Sequence, residues 1–216
     1  MFIGHFAPAL AAATHKDAPS LPVLFVAGQL VDWAFFALIL TGAEAMRMTP
    51  GISAMSPFDL YHMPYTHSLL GASLWAAGFG ALVWLATKNR MGALIAGLVV
   101  LSHWFLDLLV HVPDLTIAGD PPKLGLGLWN HAAIEMPLEL ALTFGALWWY
   151  AKVRGPKLVP LLMLGGIMMA LQLFNWFGPP EPEVTTGTSL LAFFAYGAIT
   201  LASWWTARSE ARKRAG

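Results

Sequence analysis

Residues 91–111 read MGALIAGLVVLSHWFLDLLVH. The stretch holds no Lys, Arg or Glu and a single Asp, and it is long enough to cross the apolar core of a bilayer, which takes about 20 residues. Its polar groups are ordered. His103, Asp107 and His111 recur at four-residue steps, which places them on one face of a helix. This is the pattern of a transmembrane helix with one polar stripe, and an ionisable stripe inside a membrane marks a functional site by default.

Working outward, about six segments have the length and apolarity of spans: 21–41, 66–87, 91–111, 131–151, 158–177 and 189–206. Residues 1–14 are apolar but too short to cross, so they read as a half-span or re-entrant helix. A cleaved signal peptide fits them poorly, because no basic residue precedes the run and His5 lies inside it. Composition agrees: 57% of the 216 residues are hydrophobic and 11% charged, against roughly 25% charged in a soluble domain. Mean hydropathy is +0.63. The fold expected is therefore all-α, a polytopic membrane helical bundle forming one domain over residues 1–216. With zero net charge and no basic stripe, nucleic-acid binding is excluded. The absence of cysteine excludes disulfides, thiolate metal sites and cysteine nucleophiles.

Charge orients the bundle. Lys16, the pair Lys88 and Arg90, the group Lys152, Arg154 and Lys157, and the tail residues Arg208, Arg212, Lys213 and Arg214 all fall on one side of a six-span arrangement. By the positive-inside rule that side, with the tail at 207–216, is cytoplasmic. The opposite loops carry Glu44, Asp59, Asp114, Asp120, Glu181 and Glu183, with only Arg47 and Lys123 basic. Pro121, Pro122, Pro179 and Pro180 mark turns between spans.

This orientation gathers the ionisable groups. His62 and His67 enter the membrane from the outer face, and His111 leaves through it. Asp107 lies about one turn deeper than His111 and His103 about two. His131, Glu135 and Glu139 descend from the same face, with Pro137 between the two glutamates. Asp32 sits near the middle of the first span. His5 joins the group if the N-terminal helix dips inward from outside. A single buried histidine is more often polar glue between helices. His67, His103 and Asp107 together point instead to a metal, since imidazoles with a carboxylate and no thiolate suit Zn, Mn or Fe. His15, among Thr14, Lys16 and Asp17, reads as a solvated loop residue, and His131 after Asn130 as a helix cap.

Three short runs, Gly4-His5, Thr66-His67-Ser68 and Ser102-His103-Trp104-Phe105-Leu106-Asp107, resemble the bacterial family of membrane-bound predicted metal-dependent hydrolases. The runs 111–115 (HVPDL) and 125–130 (GLGLWN) are similar to an uncharacterised membrane-protein branch of it. The resemblance covers roughly residues 1–150; the two helices within 158–206 carry none of its motifs. It implies His5, His67, His103 and Asp107 as metal ligands, an acidic position at Asp32, and a bacterial inner-membrane location.

Together these readings lead to the expectation of a zinc-type hydrolase at the outer leaflet. Asp32, Glu135 or Glu139 would act as base or support a ligand, and His111 would stabilise developing negative charge. The partners expected are the lipid bilayer and a lipid or other amphiphilic ester. A metal-ion or proton transporter is the alternative, but it needs polar groups reaching the cytoplasmic face, and the cytoplasmic halves of the second and fourth spans look apolar. A histidine-box di-iron oxidase needs about eight histidines in close clusters; this chain has seven, none at those spacings. A non-catalytic protein with a structural metal is the remaining alternative.

Overall fold

The computed structural model describes residues 1–179 and 181–211; Pro180 and the tail cations Arg212, Lys213 and Arg214 lie outside the described residues. Six long helices carry the fold: α2 (Leu21–Thr41), α3 (Leu69–Thr87), α4 (Arg90–Val110), α5 (Ala132–Arg154), α6 (Leu158–Phe177) and α7 (Thr186–Arg208). The short α1 (Phe6–Ala12) precedes them, led by a 3-10 turn over Ile3–His5. Five of the long helices are apolar enough to cross a membrane. The sixth, α5, is as long but carries Glu135, Glu139, Lys152 and Arg154. The chain is an all-α integral membrane bundle.

Local sequence sets the helix ends. The side chains of Ser68 and Asn89 accept the backbone N–H of Gly71 and Gly92 and so cap α3 and α4. Thr185 and Thr188 form a capping box at α7. Outward faces are apolar, with Leu74, Leu82, Leu98, Leu162 and Phe194 exposed, as lipid contact requires. α3 runs along α4, α2 packs on α4 and α7, and α1 is wedged between α2 and α5. The wedge is short, about 10 Å at 1.5 Å per residue, a third of the apolar thickness. Ile3, Phe6, Ala9 and Leu10 are nonetheless fully buried, so the N-terminal piece is an interior helix that does not span.

One element was not expected from the sequence. The connection from α2 to α3 contains an antiparallel hairpin, β1 (Ala45–Met48) with β2 (Phe58–His62), pairing Ala45 with His62, Arg47 with Asp59 and Met48 with Phe58. Arg47 bonds Asp59 at 2.6 Å and lies over the Tyr61 ring. Beside the hairpin, the long α4–α5 connection folds back on the same end of the bundle. Thr116 and Ile117 carbonyls accept the Leu69 and Leu70 N–H groups, which the first turn of α3 leaves without intrahelical partners. Leu126 and Gly127 N–H groups return to the Leu108 and His111 carbonyls. Gly125 is required there: a Cβ would sit 2.3 Å from the Val112 carbonyl oxygen. This fold-back is what the run 125–130 encodes, and it delivers Trp129 onto the His111 ring, 4.2 Å between centroids.

Candidate metal centre

The last two turns of α4, the start of α3, the middle of α2 and the N-terminal turn converge on one buried cluster. His5, His67, His103, Asp107 and His111 are all buried; Asp32, with 16% of its side chain accessible, is the member open to the outside. Asp107 is central. Its Oδ1 lies 3.0 Å from His5 Nε2 and 3.3 Å from His111 Nε2, and its Oδ2 lies 3.1 Å from His103 Nε2 and 3.6 Å from His67 Nε2. Asp32 Oδ1 is 3.3 Å from His67 Nε2 and 3.4 Å from His103 Nε2. Two sets of donor atoms are close enough to hold a metal ion: His5, His103 and Asp107, and Asp32, His67 and His103.

The surroundings place a proton on Nδ1 of three of these rings. His103 Nδ1 is 2.9 Å from the Gly28 carbonyl oxygen, which can only accept, so Nδ1 carries the proton. His111 Nδ1 is 2.9 Å from Asp114 Oδ1, which likewise accepts. At His67 the partner is a hydroxyl, whose own donation decides the matter. The Thr66 hydroxyl donates to Glu44 Oε2 at 2.6 Å, so its oxygen receives the proton of His67 Nδ1 at 2.8 Å. Glu44 Oε1 also accepts the Tyr65 and Thr66 N–H groups, and the Trp104 indole donates to the His67 carbonyl. With Nδ1 committed in this way, each of the three rings turns its Nε2 toward carboxylate oxygens.

An imidazole nitrogen this close to a carboxylate oxygen has a cation between them, either a proton on the ring or a metal ion. Among the described residues, buried His5 Nε2, His103 Nε2 and Asp107 Oδ2 make no hydrogen bond that satisfies the angular criteria. Ligands around one tetrahedral zinc at 2.0–2.1 Å stand about 3.3–3.4 Å apart. The carboxylate-to-imidazole separations here, 3.0–3.6 Å, bracket that spacing, and imidazoles locked by hydrogen bonds through the far nitrogen are how such ligands are oriented. The cluster can bind a metal ion.

His5 enters from the turn that leads α1. Its Nδ1 is 2.6 Å from His103 Nδ1, and the turn that carries it lies against α2 at Gly28, where a Cβ would stand 2.6 Å from the His5 carbonyl oxygen. Asp32 Oδ2 accepts from Gln29 Nε2 at 2.5 Å and from the Tyr196 hydroxyl at 3.4 Å. Glu139 is buried with Oε1 bonded to the N-terminal turn and Oε2 to Gln172, whereas neither oxygen of buried Glu135 has a hydrogen-bond partner among the described residues.

His62 and His131 stay outside. Both are exposed, His62 at the end of β2 and His131 at the N-cap position of α5 without a side-chain capping bond. Four supporting residues were not expected at the site from the sequence: Glu44, Asp114, Gln29 and Gln172. Asp114 alone could have been found, three residues after His111. Comparison with protein families, with curated proteins and with solved structures finds no match for this chain.

Proposed function

We propose that this chain is a zinc-type metal-dependent hydrolase of the bacterial inner membrane, acting near the extracytoplasmic face on a lipid or other amphiphilic ester. The observation that carries the reading is the convergence of Nε2 atoms from His67, His103 and His111 on Asp107, the first two also within 3.4 Å of Asp32. His67, His103 and Asp107 would hold the ion, with His5 on the buried side. A divalent ion in that place supplies Lewis acidity, polarising an ester or phosphoryl oxygen and making a water nucleophilic near pH 7.

The protein groups divide the remaining work. Asp32 is the one accessible carboxylate of the cluster and is steadied by Gln29 and Tyr196, so it is suited to orient an incoming water and take its proton. His111, held by Asp114 and stacked on Trp129, lies beside Asp107 where negative charge would develop. Apolar outer faces favour a substrate that arrives through the bilayer. Lys88, Arg90, Lys152 and Lys157 lie at the opposite end of the helices from the cluster, which supports an extracytoplasmic site by the positive-inside rule. On the site-bearing side Arg47 is paired with Asp59.

A transport pathway is disfavoured by what lies below the site. Between Glu139 and Lys152, α5 carries no Asp, Glu, His, Lys or Arg, and α6 buries Leu164 and Met168. A proton or ion is offered no charged relay there. The test is turnover of a phospholipid or a chromogenic fatty ester by purified protein in mixed micelles. Hydrolysis is expected to stop with a chelator, return with zinc, and be missing in His103→Ala. Turnover indifferent to both chelation and His103→Ala would overturn the reading.

A further inference from the structure

The first turn of the chain is gripped by two helices inside the bundle. Glu139 Oε1 accepts the N–H of Phe2 at 2.6 Å and of Gly4 at 2.9 Å. Gln172 Oε1 accepts the intervening Ile3 N–H at 3.2 Å. The two side chains are joined, with Gln172 Nε2 donating to Glu139 Oε2 at 2.9 Å. Glu139 and Gln172 are both buried, on α5 and α6.

The chemistry of a helix start explains the grip. The first N–H groups of any helical turn lack intrahelical acceptors, and a bare donor in an apolar interior is costly. Three successive donors here find three acceptor directions. A carboxylate offers about four lone-pair sites, and Glu139 has committed three. Gly4 permits the approach, since a Cβ there would lie 3.2 Å from Glu139 Oε1 and 2.6 Å from Met1 Sδ. The next residue is His5, whose Nε2 meets Asp107. Gly28 holds the same turn from the other side.

We infer that Glu139 and Gln172 are positioning residues, a joined acceptor pair that docks the Phe2–Gly4 backbone so that His5 reaches Asp107 at the metal centre. Glu139 then does not serve as the base, and α6, outside the motif-bearing part of the sequence, is part of the site. The inference rests on the metal-centre reading above.

A swap separates the roles. In Glu139→Gln combined with Gln172→Glu every bond of the pair can be remade. The amide now on α5 accepts from Phe2 and Gly4 through its oxygen and donates through its nitrogen to the carboxylate now on α6, which accepts from Ile3. Zinc affinity of the full chain in detergent, from competition with a chelator, is expected to fall about 10- to 100-fold in Glu139→Ala. His5→Ala should do the same, and the double variant little more. The swap should restore both affinity and ester turnover. Hydrogen exchange of residues 2–6 supplies a readout that needs no metal: it should accelerate in Glu139→Ala and return to the wild-type rate in the swap. Unchanged exchange in Glu139→Ala would overturn the docking, and a swap that binds zinc but has no turnover would make Glu139 the base. If the wild type binds no zinc yet its exchange responds as described, the docking stands and the metal reading fails.

Discussion

At the end of the bundle remote from the histidines, Glu210 is wedged beside α5 with its acceptors in use. Arg154 Nε and a terminal guanidinium nitrogen reach Oε2 at 3.0 and 2.8 Å, and the Tyr150 hydroxyl reaches Oε1 at 2.7 Å. At the other end, Asp107 faces four imidazole Nε2 atoms within 3.6 Å. Both clusters are buried and both join helices far apart in sequence, yet they differ in kind. In the first, donors meet acceptors and charges cancel, which is how a buried ion pair is tolerated. The second crowds four imidazole Nε2 atoms and the Met1 ammonium, 3.2 Å from Oδ1, around one carboxylate, and outer hydrogen bonds to Gly28, Thr66 and Asp114 hold three of the rings there. The first is an ion pair closed on itself; the second has a donor set close enough to hold a metal ion.

Substitutions that act on one cluster at a time test this contrast. The largest effect is expected at the centre: His103→Ala and Asp107→Asn should each reduce bound metal to background while the helical circular dichroism persists. Next comes Arg154→Met, which strands Glu210 and should lower stability by about 3–5 kcal/mol in a thermal melt, with metal content unchanged. Adding Glu210→Leu should recover most of that loss. Glu44→Ala should act at a distance, weakening zinc about 10- to 100-fold by freeing Thr66 and with it His67. The smallest effect belongs to His62→Ala and His131→Ala, for which competition with a chelator should give the wild-type zinc affinity. A metal loss in either of the last two would place the cluster's edge wrongly.

What the sequence made legible follows from the range of the forces involved. The long helices announce themselves because lipid demands some twenty consecutive apolar residues, and their ends carry their own caps at Ser68, Asn89 and Thr185. The His103–Asp107–His111 stripe is legible because one helix sets its spacing. Depth along the membrane normal brought His67 and Asp32 to the same level. It also brought His62 and His131, because depth is one coordinate and contact needs three. Nothing local marks Gln172 or Glu44, whose partners lie 169 and 22 residues away in the chain. The hairpin escaped notice because Pro50, Gly51 and Pro57 punctuate residues 45–62, and only the Arg47–Asp59 ion pair ties the strands through charged side chains.

The contrast between the closed and the open cluster reduces to one question, whether the second holds an ion. Elemental analysis of detergent-purified chain by plasma mass spectrometry, with His103→Ala beside it, answers it most directly. About one divalent ion per wild-type chain, zinc foremost, is expected, with background levels in the variant. Folded wild-type protein that is metal-free, and stays so after incubation with zinc, would contradict the metal-centre reading.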